Sequence, residues 1–451
     1  MKYILSIYDT LNKRKKDINL LEKQNESINI YICGITPYDH THVGHARCYI
    51  SYDVLVRLIR YFNCKATYVQ NITDINDKIF DKAINWYGDV NQYIKVADFY
   101  HTEFKSLLNY LGCITPDFYP RVSDSINEII NYIKIIIDAG FGYETNDGVY
   151  FKVSAFKDYG KLSQRISNDE NNITRLDNTH EKNNELDFVL WKKTNNSIYF
   201  SSPWGDGLPG WHIECSAMIK KSFGESQLDI HGGGMDLLFP HHENEKAQSE
   251  CCSNKPLTNI WMHVAFININ KEKMSKSKGN SFYIKDIINK FDPMVFRLYI
   301  LMHHYGSPIE FNLNAIEKIK DTYNNLISIF SDNNTKENPL IETLYDSNLL
   351  NEIYELLLDN LNTAAVIGLI FKNKNIIKNN IQLSYEIKKI IKYILGLSLT
   401  PSHSEKKEYP KEIHQLIEQR EAARKNKNFI EADRIRKMLI DLNIVINDKK
   451  L

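Results

Sequence analysis

What this 451-residue chain lacks first of all is an excess of charge: 56 lysines and arginines face 56 aspartates and glutamates, so the formal net charge is zero. Global attraction to a polyanion is thereby excluded, and any nucleic-acid contact must come from local patches. Cysteine is sparse and scattered: of the seven, only Cys251 and Cys252 are neighbours. That pattern excludes the disulfide framework of a small secreted domain and points to reduced thiols in a cytoplasmic setting. The opening run MKYILSIYDT is cut by Asp9 before a signal-peptide core could form, and no window reaches membrane-spanning length, so no membrane partner is expected. What remains is a composition of 43% hydrophobic and 25% charged residues, that of a soluble globular protein. The length suits roughly two to four domains.

Strand and helix patterns alternate near the N-terminus. The run INIYIC (28–33) is short, apolar and β-branched, ARCYISYDVLVRLIRYF (46–62) has apolar positions at helical spacing, and KATYVQNIT (65–73) reads as the next strand. This alternation predicts an α/β fold with a parallel sheet whose ligands lie at the carboxyl ends of its strands. From about Arg121 to Lys193 the texture changes to a helix, a strand pair and a polar tract, which reads as an insertion. Beyond about Phe311 the pattern is almost wholly helical, and the last piece reads as a helical hairpin with one short strand.

Two stretches stand out chemically. In HVGHAR, Gly44 lets backbone approach closely, the following helix offers unsatisfied N–H groups, and His42 and His45 can donate toward one anion. That is a phosphate cradle, though such a short pattern alone describes a polar loop equally well. In KEKMSKSKGN (271–280), four lysines and two serines closed by Gly-Asn can fold over a polyphosphate, whereas a charge run alone is commonly a solvated turn. Both together, with a helical region behind them, resemble a class I aminoacyl-tRNA synthetase. The blocks YICGITPYDHTHVGHAR, NITDINDKI, YGKLSQR, LDFVLWK, SPWGDGLPGWHIECSAM, LDIHGGGMDLLFPHHENEKAQSE and KMSKSKGN narrow the resemblance to cysteinyl-tRNA synthetases.

That resemblance implies a Rossmann-type catalytic domain over residues 1–120 and 194–260, a connective insertion at 121–193 and a KMSKS and stem-contact region at 261–310. An anticodon-binding helical bundle would follow at 311–400, then a small tRNA-binding piece at 401–451. It implies one zinc ion held by Cys33, Cys215, His241 and Glu245. From the residues alone, only the His241–Glu245 pair, one helical turn apart, hints at a shared ion. By the same resemblance Thr73 and Trp211 line the cysteine pocket, and His42, Gly44, His45, His231, Gly233, Asp236 and Lys276 meet ATP. His42, His45, Lys273 and Lys276 are the expected catalytic groups, with His242 and Glu243 as supports. The implied activity is ligation of L-cysteine to tRNA(Cys) using Mg²⁺ with ATP, through a cysteinyl-adenylate, without editing and as a monomer.

Two further features bear on partners. Arg420, Arg424, Lys425, Lys427, Arg434, Arg436 and Lys437 form a basic segment suited to tRNA phosphates. Val264 and Ala265 stand where the family commonly has Asn-Gly, a departure on the ATP side. The alternative is a cysteine ligase with an amino-sugar acceptor, which would have no use for the helical region after residue 311.

Overall fold

The structure, a computed structural model, describes residues 3–165, 181–253, 255–269, 271–274, 281–331, 347–400 and 411–442. An antiparallel hairpin, β1 (Ile4–Asp9) and β2 (Arg14–Asn19), opens the chain. Next come β3 (Ser27–Ile35), α1 (Val43–Tyr61) and β4 (Lys65–Ile72), with β3 and β4 parallel as expected. Helices α2 (Asp77–Tyr87), α3 (Tyr93–Tyr110) and α4 (Ile126–Asp138) follow. Asn76 starts α2 by accepting a hydrogen bond from the Lys78 N–H, and Gly88, at φ 68°, ends it in the left-handed region that favours glycine.

The insertion folds as an antiparallel sheet of β5 (Gly142–Glu144), β6 (Gly148–Phe151), β7 (Phe188–Lys193) and β8 (Gly207–Pro209). β8, past the boundary expected at residue 193, completes this sheet by pairing Pro209 with Trp191. Then α5 (Trp211–Phe223), β9 (Leu228–Gly234), α6 (Glu243–Ser253) and β10 (Thr258–Val264) return to the central sheet. The boundary expected at 260/261 cuts β10, whose buried Ile260–Val264 stretch stays paired with β9.

The central sheet is parallel, in the order β10-β9-β3-β4. From β3 the chain passes to β4 on one side and reaches β9 on the other, so the strand order reverses at the carboxyl end of β3. A crevice at such a reversal is where open α/β sheets take ligands. Beyond β10, β11 (Ile267–Ile269), β12 (Glu272–Lys273), α7 (Ile284–Lys290), α8 (Pro293–Leu301) and β13 (Ile309–Glu310) include a small sheet ordered β12-β11-β13. The helical region comprises α9 (Leu313–Phe330), α10 (Asn348–Leu358), α11 (Thr363–Lys372), α12 (Lys374–Asn379) and α13 (Ile381–Lys389), and the hairpin α14 (Lys411–Lys425) and α15 (Phe429–Asp441). Among the described residues no helix is long and apolar enough to cross a membrane.

Both faces of the central sheet are covered. One core joins Ile30 and Leu55 to Phe296 and to Ile353 and Ile391 of the helical region, and the other joins Tyr31 to Ile213, Met218 and Trp191. Inside the first, the buried Arg297 side chain meets Asp53 and donates to the Leu395 and Leu111 carbonyls at 2.7 and 2.9 Å.

The C-terminal hairpin docks on the catalytic domain, where Ile435, Met438 and Leu439 pack with Ile79, Trp86 and Tyr100. The Trp86 indole N–H donates to Asp441 at 3.0 Å. This placement corrects part of the expected basic patch: Arg420 is buried, and Arg434 is committed to Glu431 and to the Trp86 carbonyl. Lys425, Lys427, Arg436 and Lys437 remain exposed. The short strand expected near the C-terminus lies outside the described residues.

Candidate metal centre and active site

The site starts from an irregularity in β3. Its register against β4 shifts between Ile32 and Ile35, which lifts Cys33 and Gly34 out of the ladder. A Cβ on Gly34 would lie 1.7 Å from the Asn71 carbonyl oxygen, so only glycine fits there. The Gly34 N–H donates to Asn71 Oδ1 at 2.8 Å, and Asn71 Nδ2 donates to Thr73 Oγ1 at 3.3 Å. Cys33 is thereby presented toward α5 and toward the turn Leu238–His242 that leads into α6.

Cys33, Cys215, His241 and Glu245 meet there, their ligand atoms all within 4.8 Å of one another and every residue buried. The Cys33 and Cys215 sulfurs are 3.9 Å apart, Cys33 Sγ is 3.4 Å from Glu245 Oε1, and His241 Nε2 is 2.9 Å from the same oxygen. Cys215 of α5, His241 of the turn and Glu245 of α6 thus lie together with Cys33 of β3. A second grouping, Cys33, His231, His242 and Glu245, shares two members with the first, so the six residues form a single buried nest.

The electrostatics describe a site short of positive charge. Burial pushes the Cys33 thiol well up, and Cys215, hydrogen-bonded by Cys33, is drawn down to about 6. Burial raises Glu245, but His241 and His231 beside it more than reverse this and hold the carboxylate well below its ordinary range. Burial lowers His241, and the neighbouring Glu245 and Cys215 overcome that to bring it to about 10. Two thiols, an imidazole and a carboxylate in tetrahedral reach are the donors Zn²⁺ takes, and a dication would neutralise the buried anions. The residues present therefore fit a zinc ion.

His231, expected to meet ATP, lies in the same nest. It is fully buried, with Nδ1 2.8 Å from the Tyr31 carbonyl oxygen and Nε2 2.8 Å from Glu245 Oε2. It stands behind Glu245, because β9 carries it into the nest rather than to an open face. His242 plays a similar part: Nε2 is 3.3 Å from Cys33 Sγ and Nδ1 is 2.8 Å from His263 Nε2. Glu243 is spent on the Gly160 and Ser163 N–H groups, so it secures the insertion.

Trp211 is 42% exposed and lays its ring over His241, with centroids 4.3 Å apart. Thr73 is buried at the end of β4. Beside Thr73 sits a residue that sequence reasoning missed. Glu214 is buried, burial raises its carboxyl well above the usual range, and among the described residues its Oε2 has no hydrogen-bond partner. His212, whose Nδ1 is 2.9 Å from His241 Nδ1, was also missed, since its neighbour Trp211 carried the motif signal.

The phosphate-cradle residues lie at the start of α1. His42 caps the helix, its Nδ1 accepting from the His45 N–H at 3.2 Å, and the two imidazoles stack with centroids 3.6 Å apart. Both rings and Gly44 are half-buried, within reach of a ligand. Gly233 is buried one residue before the end of β9, and Asp236 is exposed just beyond that strand. Lys273 sits in β12, described by its backbone alone, and Lys276 lies outside the described residues. Val264 and Ala265 are buried at the end of β10, where the Ala265 N–H donates to the Tyr305 carbonyl at 2.9 Å.

The profile described as "tRNA synthetases class I (C) catalytic domain" matches residues 19–321, and that of the "Cysteinyl-tRNA ligase anticodon binding domain" matches residues 406–451. Cysteine-tRNA ligase of Bacillus pumilus is 38% identical, covering 98% of this chain and 97% of its own, and that of Clostridioides difficile is 37% identical, covering 99% and 98%. Among solved structures, Mycobacterium tuberculosis methionyl-tRNA synthetase in complex with methionyl-adenylate shares the fold at a TM-score of 0.58 and 14% identity, covering 83% of this chain and 88% of that one. The chain therefore belongs to the cysteine-tRNA ligase family of class I aminoacyl-tRNA synthetases.

Proposed function

We propose that this enzyme activates L-cysteine with Mg·ATP to a cysteinyl-adenylate and passes the cysteinyl group to tRNA(Cys). The observation that carries this reading is the buried nest of Cys33, Cys215, His241 and Glu245 with Trp211 across its open side. Those four residues would hold zinc, and a bound zinc ion supplies an open coordination position that takes a substrate sulfur as thiolate. Serine's hydroxyl is a poorer ligand and resists deprotonation. Sites that demand one specific polar contact reject the analogue lacking it by about 10⁴–10⁵. No editing step is then needed.

The chain's own residues do the rest. Trp211 and Thr73 bound the amino-acid pocket, and Asn71 ties Thr73 to the Cys33 turn so that the pocket and the nest move as one. His42 and His45, fixed against each other at the start of α1, donate toward the α-phosphate as the cysteine carboxylate attacks it. Lys273 and Lys276 offset charge on the departing pyrophosphate, and Gly233 and Asp236 lie where the nucleoside would rest. His231 acts through Glu245 instead of through ATP. The tRNA ribose hydroxyl then attacks the adenylate carbonyl, releasing AMP. The match to an anticodon-binding domain favours tRNA over an amino-sugar as acceptor.

The test is ATP–pyrophosphate exchange with each amino acid in turn, followed by charging of tRNA(Cys). Exchange that depends on cysteine alone is expected. Equal exchange with serine, or appreciable hydrolysis of seryl-tRNA, would overturn the reading.

A further inference from the structure

Arg47, which follows the second signature histidine by two positions, is an unusual charge. Its side chain is 1% exposed, and among the described residues no carboxylate pairs with it. A buried guanidinium without a counter-ion is costly, and burial draws Arg47 down to about 10, still a cation at neutral pH. What it meets are backbone carbonyls. Nη1 donates to Phe266 at 2.6 Å, and Nη2 donates to His304 and Tyr305, each at 3.3 Å, and to Ser307.

Those carbonyls belong to two segments with one role. Phe266 lies at the root of the β11–β12 hairpin, and residues 304–307 run into β13, the other neighbour of β11. The Phe266 carbonyl also accepts from the Ile309 N–H, and the Tyr305 carbonyl from the Ala265 N–H, so Arg47 sits at the junction of the small sheet. The hairpin carries Lys273 and leads directly into residues 275–280. On the far side of that stretch the chain returns to the start of α1. The Val43 N–H donates to the Phe282 carbonyl at 2.9 Å, the Ile284 N–H donates to the Thr41 carbonyl at 2.8 Å, and His42 bridges Tyr283. Met274, buried at the end of the hairpin, reaches Gly44: a Cβ there would lie 3.2 Å from its Cε.

Both stems of the lysine-bearing segment are thus tied to the first turns of the helix that presents His42 and His45. One stem is held by main-chain pairing, the other by Arg47. We infer that Arg47 is a positioning residue for the activation step: its guanidinium fork fixes the β11–β12 hairpin, and with it Lys273, relative to the His42/His45 cradle. Arginine is required because one planar fork reaches carbonyls from two segments at once, whereas a lysine ammonium is a point donor that cannot span them. The inference rests on the reading that the lysines act on pyrophosphate departure, so it touches the first half-reaction and leaves the second alone.

The test uses the full-length, zinc-loaded protein. Arg47→Met removes every donor from this buried junction and so perturbs folding as well as position, which makes Arg47→Lys, keeping the charge and much of the stem, the deciding variant. In R47K, kcat for cysteine-dependent ATP–pyrophosphate exchange should fall about 10- to 100-fold, the scale of an ångström-sized misplacement of a catalytic group. KM for cysteine should stay within about twofold, as should single-turnover transfer from preformed enzyme-bound adenylate to tRNA. Hydrogen exchange should rise at residues 267–274 and stay at wild-type levels in β3, β9 and β10. A purely structural loss would lower both half-reactions together and raise exchange throughout; that result, or unchanged activation and hairpin exchange in R47K, overturns the inference. If the wild-type protein showed no cysteine-dependent exchange, the proposed function would fail instead, and the hydrogen-exchange comparison would still decide whether Arg47 anchors the hairpin.

Discussion

Replacing His231 by glutamine separates two roles that the residue could have. In the structure its imidazole spans the Tyr31 carbonyl and Glu245 Oε2, at 2.8 Å on each side. Glu245 uses its other oxygen toward His241 and Cys33, so His231 is what stops the carboxylate turning away from the nest. Outer partners of metal ligands typically contribute about 10- to 100-fold in metal affinity, or roughly 1.4–2.7 kcal/mol. A further cost of about 1–3 kcal/mol in folding stability is expected if the Tyr31 carbonyl is left unpaired. Competition against a chromogenic zinc chelator measures the first quantity, and urea melts the second. H231Q should lose zinc affinity on that scale while KM for ATP is unchanged. Zinc affinity equal to wild type together with a raised KM for ATP would refute the reasoning and return His231 to the nucleotide.

Other perturbations test separate parts of the structure. Lys276→Ala should slow ATP–pyrophosphate exchange by a factor equivalent to about 2–4 kcal/mol, the loss typical of a preorganised charge donor; unchanged exchange would remove it from the activation step. Asp53→Asn strands the buried Arg297 and should destabilise the fold by roughly 3–5 kcal/mol in urea melts, whereas a cost below about 1 kcal/mol would contradict the buried pair. Burial, aided by Lys105 and Arg121, lowers His101 from 6.5 to about 4. The unfolded chain therefore binds the extra proton between those values, so stability is fully present above pH 6.5 and falls as pH drops toward 4. His101→Asn should flatten that part of the acid limb relative to wild type, and identical limbs would refute the assignment.

The parallel α/β core was legible because β-branched runs and helical periodicity alternate over residues 28–73, and the strand order adds only that the signature turn sits at a reversal. Domain edges were less so. β8 and β10 extend past the expected limits since pairing with β7 and β9, not a change of composition, decides where those strands belong. His241 and Glu245 announced themselves by one-turn spacing, whereas Cys33 and Cys215 lie 182 positions apart and only the resemblance joined them. The contact of His231 with Glu245 was not legible, because a glycine-rich turn suggests a nucleotide face and nothing local announces a buried carboxylate beside the histidine before it. In the C-terminal hairpin the basic residues drew the eye, yet Ile435, Met438 and Leu439 mark a buried stripe that the docked face of α15 uses. Arg47 and Glu214 carry no pattern at all; among the described residues, burial without an ionic partner marks the first, and an unpartnered buried oxygen the second.

X-ray absorption at the zinc edge, recorded on the purified protein before and after adding L-cysteine, tests the central claim most directly. The account predicts one zinc per chain with two sulfur neighbours at about 2.3 Å and a third sulfur on adding cysteine but not serine. Absence of zinc, or a sulfur count that cysteine leaves unchanged, would contradict it.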